Sequence, residues 1–186
     1  LAVTSDGSLL TGTLDGRLWI GDRELRDWSG GVHRLRPSVQ SLITGPEGSV
    51  AAVGEGLGPV VWSRLSEKPV QLPMRDRRAL AFVDASTIAV AGERLRRYSL
   101  RPPAFPARWV GSSGLSEMAV SPDGSLLAAG GGDGTVMVWH SQNNKITLHH
   151  KLSITIIQSI TFSPNNKQLT INITGEPNII ILRVGS

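Results

Sequence analysis

Five acidic residues, Asp15, Glu55, Glu93, Asp133 and Glu176, recur along the chain, each next to a glycine. Brought onto one rim, such carboxylates would hold a cation or a basic partner. An acidic residue beside glycine is also the composition of a tight turn, where the carboxylate accepts hydrogen bonds from its own backbone, and we assign Asp15 and Asp133 this structural role. A second set is basic: Arg34 and Arg36, then Arg75, Arg77 and Arg78, then Arg101 and Arg108, in a chain of net charge +4. A face carrying them suits an acidic protein or a phosphate backbone. No stacking platform or recognised reader motif accompanies the charge, which argues against nucleic acid. A protein or peptide is the expected partner, with Trp28 and Trp109 as aromatic anchors beside the arginines.

Catalytic and metal chemistry find no footing in the residue types. The chain has no cysteine, so disulfides, thiolate nucleophiles and Cys-containing zinc sites are excluded. Of the four histidines, His33, His140, His149 and His150, only the last two adjoin, and on a strand they point to opposite faces. There is neither a nucleophile elbow nor a zinc-binding helix motif, and the glycine-rich runs read as hairpins rather than as a phosphate loop before a helix. No cofactor and no metal are expected. Asn172-Ile173-Thr174 matches a glycosylation acceptor, which has meaning only in a secreted protein.

The elements that carry these residues are clearest from Met118 to Trp139. Met118, Val120, Leu126 and Ala128 alternate with smaller or more polar positions, the period of strands with one packed face. Pro122-Asp123-Gly124 supplies a fixed φ and a glycine free to take positive φ, closing a first hairpin. Asp133-Gly134 closes a second before the β-branched and aromatic run Thr135 to Trp139. A meander of this size cannot bury its own faces, and further copies follow at a steady interval. Gly7, Gly48, Ala85, Gly124 and Asn166 hold the same place in the first turn, 41, 37, 39 and 42 residues apart. Trp19, Trp62, Tyr98, Trp139 and Leu182 hold the same place in the third strand, 43, 36, 41 and 43 apart, and we read the four aromatics as packing residues. Two independent markers with one period, four strands to a unit, are the signature of propeller blades.

The sequence resembles the WD-repeat (WD40) β-propeller family over essentially its whole length. The fourth unit carries the likeness, Ser121-Pro-Asp-Gly-Ser-Leu-Leu-Ala-Ala-Gly-Gly-Gly-Asp-Gly-Thr-Val-Met-Val-Trp139, while the other four match in spacing and residue class. Two members of the family's usual side-chain network are missing there: its histidine falls near Gly111 and its serine or threonine is Ala129, which leaves Asp133 and Trp139. The resemblance implies an all-β propeller of about five blades of antiparallel strands, in units of roughly 1–31, 32–76, 77–113, 114–153 and 154–186 within one domain. The third unit's outer strand is expected to be short or replaced by a loop, since Pro102, Pro103 and Pro106 remove three donors. The fifth unit stops after its third strand, and the amino end offers no spare strand to complete it, so a partial or unclasped ring with self-associating edges is expected.

The amino end lacks a basic segment and no run of 18 apolar residues occurs, so neither a signal peptide nor a membrane span is expected and a cytoplasmic location follows. Starting inside a strand pattern, the chain reads as a piece of a longer protein. All six asparagines lie from Asn143 onward and fourteen of fifteen arginines at or before Arg108, yet the repeat runs straight through, so this change marks no domain boundary. For function the family implies a non-enzymatic scaffold that binds proteins through one face and the central opening. An enzyme in the central funnel would need acids and bases at the first-strand ends, which read Thr4, Thr44, Val83, Ser121 and Ser163. The remaining alternative is nucleic-acid binding through the arginine-bearing loops.

Overall fold

The computed structural model describes residues 1–4, 6–13, 17–25, 38–54, 58–63, 69–72, 79–92, 95–100, 108–109, 114–152, 156–175 and 179–184, and at 25, 40, 54, 108 and 109 the backbone. Five antiparallel sheets follow one another along the chain, each a simple meander. The first comprises β1 (Ala2–Val3), β2 (Leu9–Gly12), β3 (Leu18–Ile20) and β4 (Arg23–Leu25). The second comprises β5 (Val39–Thr44), β6 (Val50–Gly54), β7 (Val60–Trp62) and β8 (Val70–Gln71). The third comprises β9 (Ala79–Asp84), β10 (Thr87–Ala91), β11 (Arg96–Ser99) and β12 (Arg108–Trp109). The fourth comprises β13 (Leu115–Val120), β14 (Leu126–Gly131), β15 (Thr135–His140) and β16 (Ile146–Lys151), and the fifth β17 (Ile157–Phe162), β18 (Gln168–Ile173) and β19 (Ile179–Arg183).

First strands of successive sheets, β1, β5, β9, β13 and β17, stand side by side, and the sheets are not closed into a ring. The core is therefore a series of seams between neighbours, with no common centre. Leu10 and Leu18 of the first sheet meet Val50, Ala52 and Trp62 of the second. Ala51, Val53 and Val61, the alternate residues of the second, meet Phe82, Ile88 and Tyr98 of the third. The pattern repeats between the third and fourth sheets at Ala89, Ala91, Leu127 and Trp139, and between the fourth and fifth at Ala128, Val138, Ile157 and Leu169. Period-two alternation thus sorts residues between two seams, so the expectation of one packed face is corrected. A middle strand such as β14, flanked by a sheet on each side, is buried at all six positions. Each fully buried Leu, Val or Ile contributes roughly 1.5–3 kcal/mol relative to exposure, so every inner blade depends on both neighbours.

Close approach at the seams is set by glycine. A Cβ on Gly12 would stand 2.4 Å from Val39 Cγ1, and one on Gly45 would stand 2.4 Å from the Phe82 ring. A polar latch adds to the third seam, where the Arg97 guanidinium donates to the Ser141 carbonyl and, at 2.8 Å, to Asn144 Oδ1. Pro46–Gly48, at the first turn of the second unit, forms a single 3-10 turn with Glu47 at φ 57°. Arg108 and Trp109 form β12, a two-residue outer strand for the third unit, paired with Arg97 and Arg96.

Candidate functional site

The ends of β5, β9, β13 and β17 surround a cavity of about 660 Å³, lined by Ile43 to Pro46, Leu80 to Val83, Met118 to Pro122, Gly124 and Ile160 to Phe162. None of these residues is charged. One of its hydroxyls, that of Ser121, is committed to the hairpin beside it. Ser121 Oγ donates to Asp123 Oδ1 at 2.6 Å and accepts from Leu126 N–H at 2.9 Å, while Asp123 Oδ1 also takes Ser125 N–H at 3.0 Å. The device recurs. Thr4 donates to Asp6, which takes Ser8 N–H at 3.1 Å, and Ser163 donates to Asn165 at 2.7 Å, which takes Lys167 N–H at 3.1 Å. The hydroxyl of Thr4 foremost, then the Ser8 groups, hold the Asp6 carboxyl below its usual range, and Ser121 then Ser125 do the same to Asp123.

This hydroxyl, acid or amide, and third-residue amide form the motif Thr/Ser-x-Asp/Asn-x-Ser/Lys. Sequence reasoning found no acid and base grouping at the strand ends but missed the turn role of their hydroxyls, although the spacing Thr4-Asp6-Ser8, Ser121-Asp123-Ser125, Ser163-Asn165-Lys167 was there to be read. An attacking hydroxyl needs a base that takes its proton, whereas Ser121 faces a carboxylate held below its usual range by accepted hydrogen bonds. Among the described residues the carboxyl pushed the other way is Glu117, raised by burial at the irregular pairing of β13 with β14. It does not line the cavity, and no group of three His, Asp or Glu side chains able to hold a metal occurs among the described residues.

At the opposite end of the fourth sheet, Asp133 caps its turn. Its Oδ1 accepts Thr135 N–H at 3.0 Å and its Oδ2 accepts Thr135 Oγ1 at 2.8 Å and Lys151 Nζ at 2.6 Å. The Lys151 ammonium foremost, then Thr135, lower its carboxyl to about 2. The other acids of the proposed rim, Asp15, Glu55, Glu93 and Glu176, lie outside the described residues. Trp62, Tyr98 and Trp139 are buried in the seams. Trp19 is half-buried, because its side lies on the face of the first sheet that no neighbouring sheet covers among the described residues, with Val3 and Leu9, which are 54% and 45% exposed. Trp139 Nε1 is buried without a hydrogen-bond partner, and Ala129, in the same apolar cluster, has no group to offer it. Trp28, Arg34, Arg36, Arg75, Arg77, Arg78 and Arg101 lie outside the described residues.

Comparison with known proteins agrees with this architecture. Residues 107–140 match the family model described as WD domain, G-beta repeat, a stretch running from before β12 to the end of β15. The small ribosomal subunit protein RACK1y of Oryza sativa subsp. japonica is 48% identical over 52 residues, 27% of this chain and 15% of that protein. The small ribosomal subunit protein RACK1 of Schizosaccharomyces pombe is 39% identical over 72 residues, 38% of this chain and 21% of that protein. The match thus spans about a fifth of such relatives or less. The Cps50 (Swd1) β-propeller domain of Myceliophteria thermophila superposes with a TM-score of 0.79 at 15% identity, over 100% of this chain and 66% of that one. With a WD repeat at 107–140, five meanders on one period and the fold of a solved propeller, this chain carries a WD repeat within a series of β-propeller blades.

Proposed function

We propose that the chain is a non-catalytic protein-interaction scaffold, docking a protein or peptide on the face where its blade-to-blade connections leave. In each complete meander the second strand ends where the third begins, the fourth ends and the next first strand begins, so connections and second turns share a face. The cavity mouth at Gly45, Pro46, Ser121 and Pro122 belongs to the other. To the connection face we assign Trp28, Arg34, Arg36, Arg75, Arg77 and Arg78, with Arg108 and Trp109 of β12 at its margin. The observation that carries the reading is the uncharged, largely apolar cavity, whose one lining serine, Ser121, is held in its turn: it offers contact area and no acid or base pair. The relatives named as small ribosomal subunit proteins suit a scaffold working within a large assembly in the cytoplasm.

Affinity capture with the chain and with its Arg75→Glu, Arg77→Glu, Arg78→Glu variant tests this. Recovery of the partner is expected to fall at least about tenfold with an unchanged denaturation midpoint, as charge reversal at an interface does. Equal recovery by the variant would overturn the docking face. Recovery abolished by nuclease, with a steep salt dependence, would overturn the protein partner in favour of nucleic acid.

A further inference from the structure

We propose that the outer edge of β16 is a docking strand, which takes an extended segment of a partner protein, acidic at every second residue, as a fifth strand of the fourth sheet. This goes beyond the connection-face reading and does not depend on it. β16 lies inside the chain: Leu152 N–H donates to the Gly134 carbonyl at 2.9 Å, Leu152 is buried in the seam with the fifth sheet, and β17 then opens that sheet. Its place at the rim follows from the order of the meander, and among the described residues nothing pairs with its outer side. It is the longest of the four fourth strands, six residues against three in β4 and two each in β8 and β12.

The register fixes what this edge offers. Thr135, Val136, Met137 and Val138 stand opposite Lys151, His150, His149 and Leu148. Alternate residues of an antiparallel strand turn their N–H and C=O to opposite sides, so the Leu152 bond assigns Leu152, His150 and Leu148 to β15 and turns the groups of Lys151 and His149 outward. Each of these two residues offers one donor and one acceptor, about four inter-strand hydrogen bonds for an added strand. Beyond Leu148 the pairing with β15 is irregular, which ends the regular edge. His149, His150 and Lys151 are exposed, and His149 and Lys151 share one face of the sheet.

Charge selects the occupant. No acidic residue occurs between Asp133 and Glu176, a stretch that holds Lys145, Lys151, Lys167 and three histidines. Asp133, the acid nearest the edge, answers only part of this charge. The Lys151 ammonium has three donors, of which Asp133 Oδ2 at 2.6 Å and Thr135 Oγ1 at 3.2 Å use two, leaving one. Asp or Glu suits the positions of an added strand opposite Lys151 and His149, and an apolar side chain suits the one opposite the half-buried Leu148. A second copy of β16 brings no acid to this edge, and its lysine guards against unselective pairing. A phosphate backbone has acceptors but no donor for the outward carbonyls, whereas an acidic peptide supplies both.

Fluorescence anisotropy tests this with the chain and a labelled peptide in which glutamate alternates with valine. Saturable binding is expected. N-methylation of the glutamates removes the donors that face Lys151 and His149 and should weaken binding at least about tenfold, while N-methylation of the valines, on the peptide's other edge, should leave it unchanged. His149→Pro removes an outward N–H where an edge strand tolerates proline, so the denaturation midpoint should hold while affinity falls at least about tenfold. The Arg75→Glu, Arg77→Glu, Arg78→Glu variant should bind the peptide as the native chain does, which separates this edge from the connection face. Absence of saturable binding, equal weakening by the two methylated peptides, equal binding of a peptide alternating lysine with valine, or loss of binding in the arginine variant would each overturn the proposal. Displacement of the peptide by an oligothymidylate of the same length would overturn it in favour of nucleic acid. Should His149→Pro fail to fold, the two methylated peptides on the native chain decide.

Discussion

Asp133 shows how one side chain can be read two ways, as the cap of its turn or as one charge of a rim. The carboxylate takes the Thr135 amide and hydroxyl and the Lys151 ammonium, joining turn to outer strand. With 63% of the side chain exposed, solvent screens the ion pair, and Asp133→Ala should cost about 0.5–1 kcal/mol at neutral pH. The folded carboxyl is depressed from 3.8 to about 2, so its contribution is full above the unfolded value and is lost as pH falls through about 2. The lowered carboxyls of Asp6 and Asp123 act in the same direction. Denaturation midpoints of the variant should therefore lie below the native ones at pH 7 and converge with them toward pH 2. A midpoint at pH 7 unchanged or raised would mean that like-charge crowding, and not capping, governs the site.

Three consecutive glycines at the end of β14 and in the turn after it give the element scale its sharpest contrast. A Cβ on Gly131 would stand 2.8 Å from the Gly114 carbonyl oxygen, a backbone atom, whereas one on Gly132 would meet nothing within 4 Å. Gly131→Ala should destabilise by about 1–3 kcal/mol, and Gly132→Ala should be neutral or stabilise by up to about 1 kcal/mol through the unfolded chain. Urea midpoints of the two variants measure the difference, and equal midpoints would contradict the close approach. From sequence the run reads as hairpin glycine, and its turn was legible at Asp133-Gly134. Which glycine faces a neighbouring backbone was not, because that depends on contacts with no fixed sequence separation. The turn motif built on Ser121, Asp123 and Ser125 is the opposite case: a purely local pattern, visible at fixed spacing, whose hydrogen bonds commit the Ser121 hydroxyl to its turn.

Over the whole molecule, the repeat of glycines and aromatics gave away the five meanders, since every blade needs the same turn and the same third-strand anchor. Exceptions arise where a blade lacks a neighbour. Trp19 occupies the position of the buried Trp62 and Trp139 yet is half-exposed, a consequence of sheet order that its own residues do not encode. Likewise, alternation within β14 distributes side chains to two seams and does not mark a solvent face, which only the presence of both flanking sheets decides. Function follows this plan: a neutral cavity on one side, the connections with their arginines assigned to the other. Hydrogen exchange of the chain alone and with its captured protein partner tests that claim most directly. Slowed exchange at peptides covering 26–37, 73–78 and 101–113, with strand ends Thr44 to Pro46 and Ser121 to Pro122 unchanged, is the predicted footprint. Protection centred on those strand ends, with the connections unaffected, would contradict it.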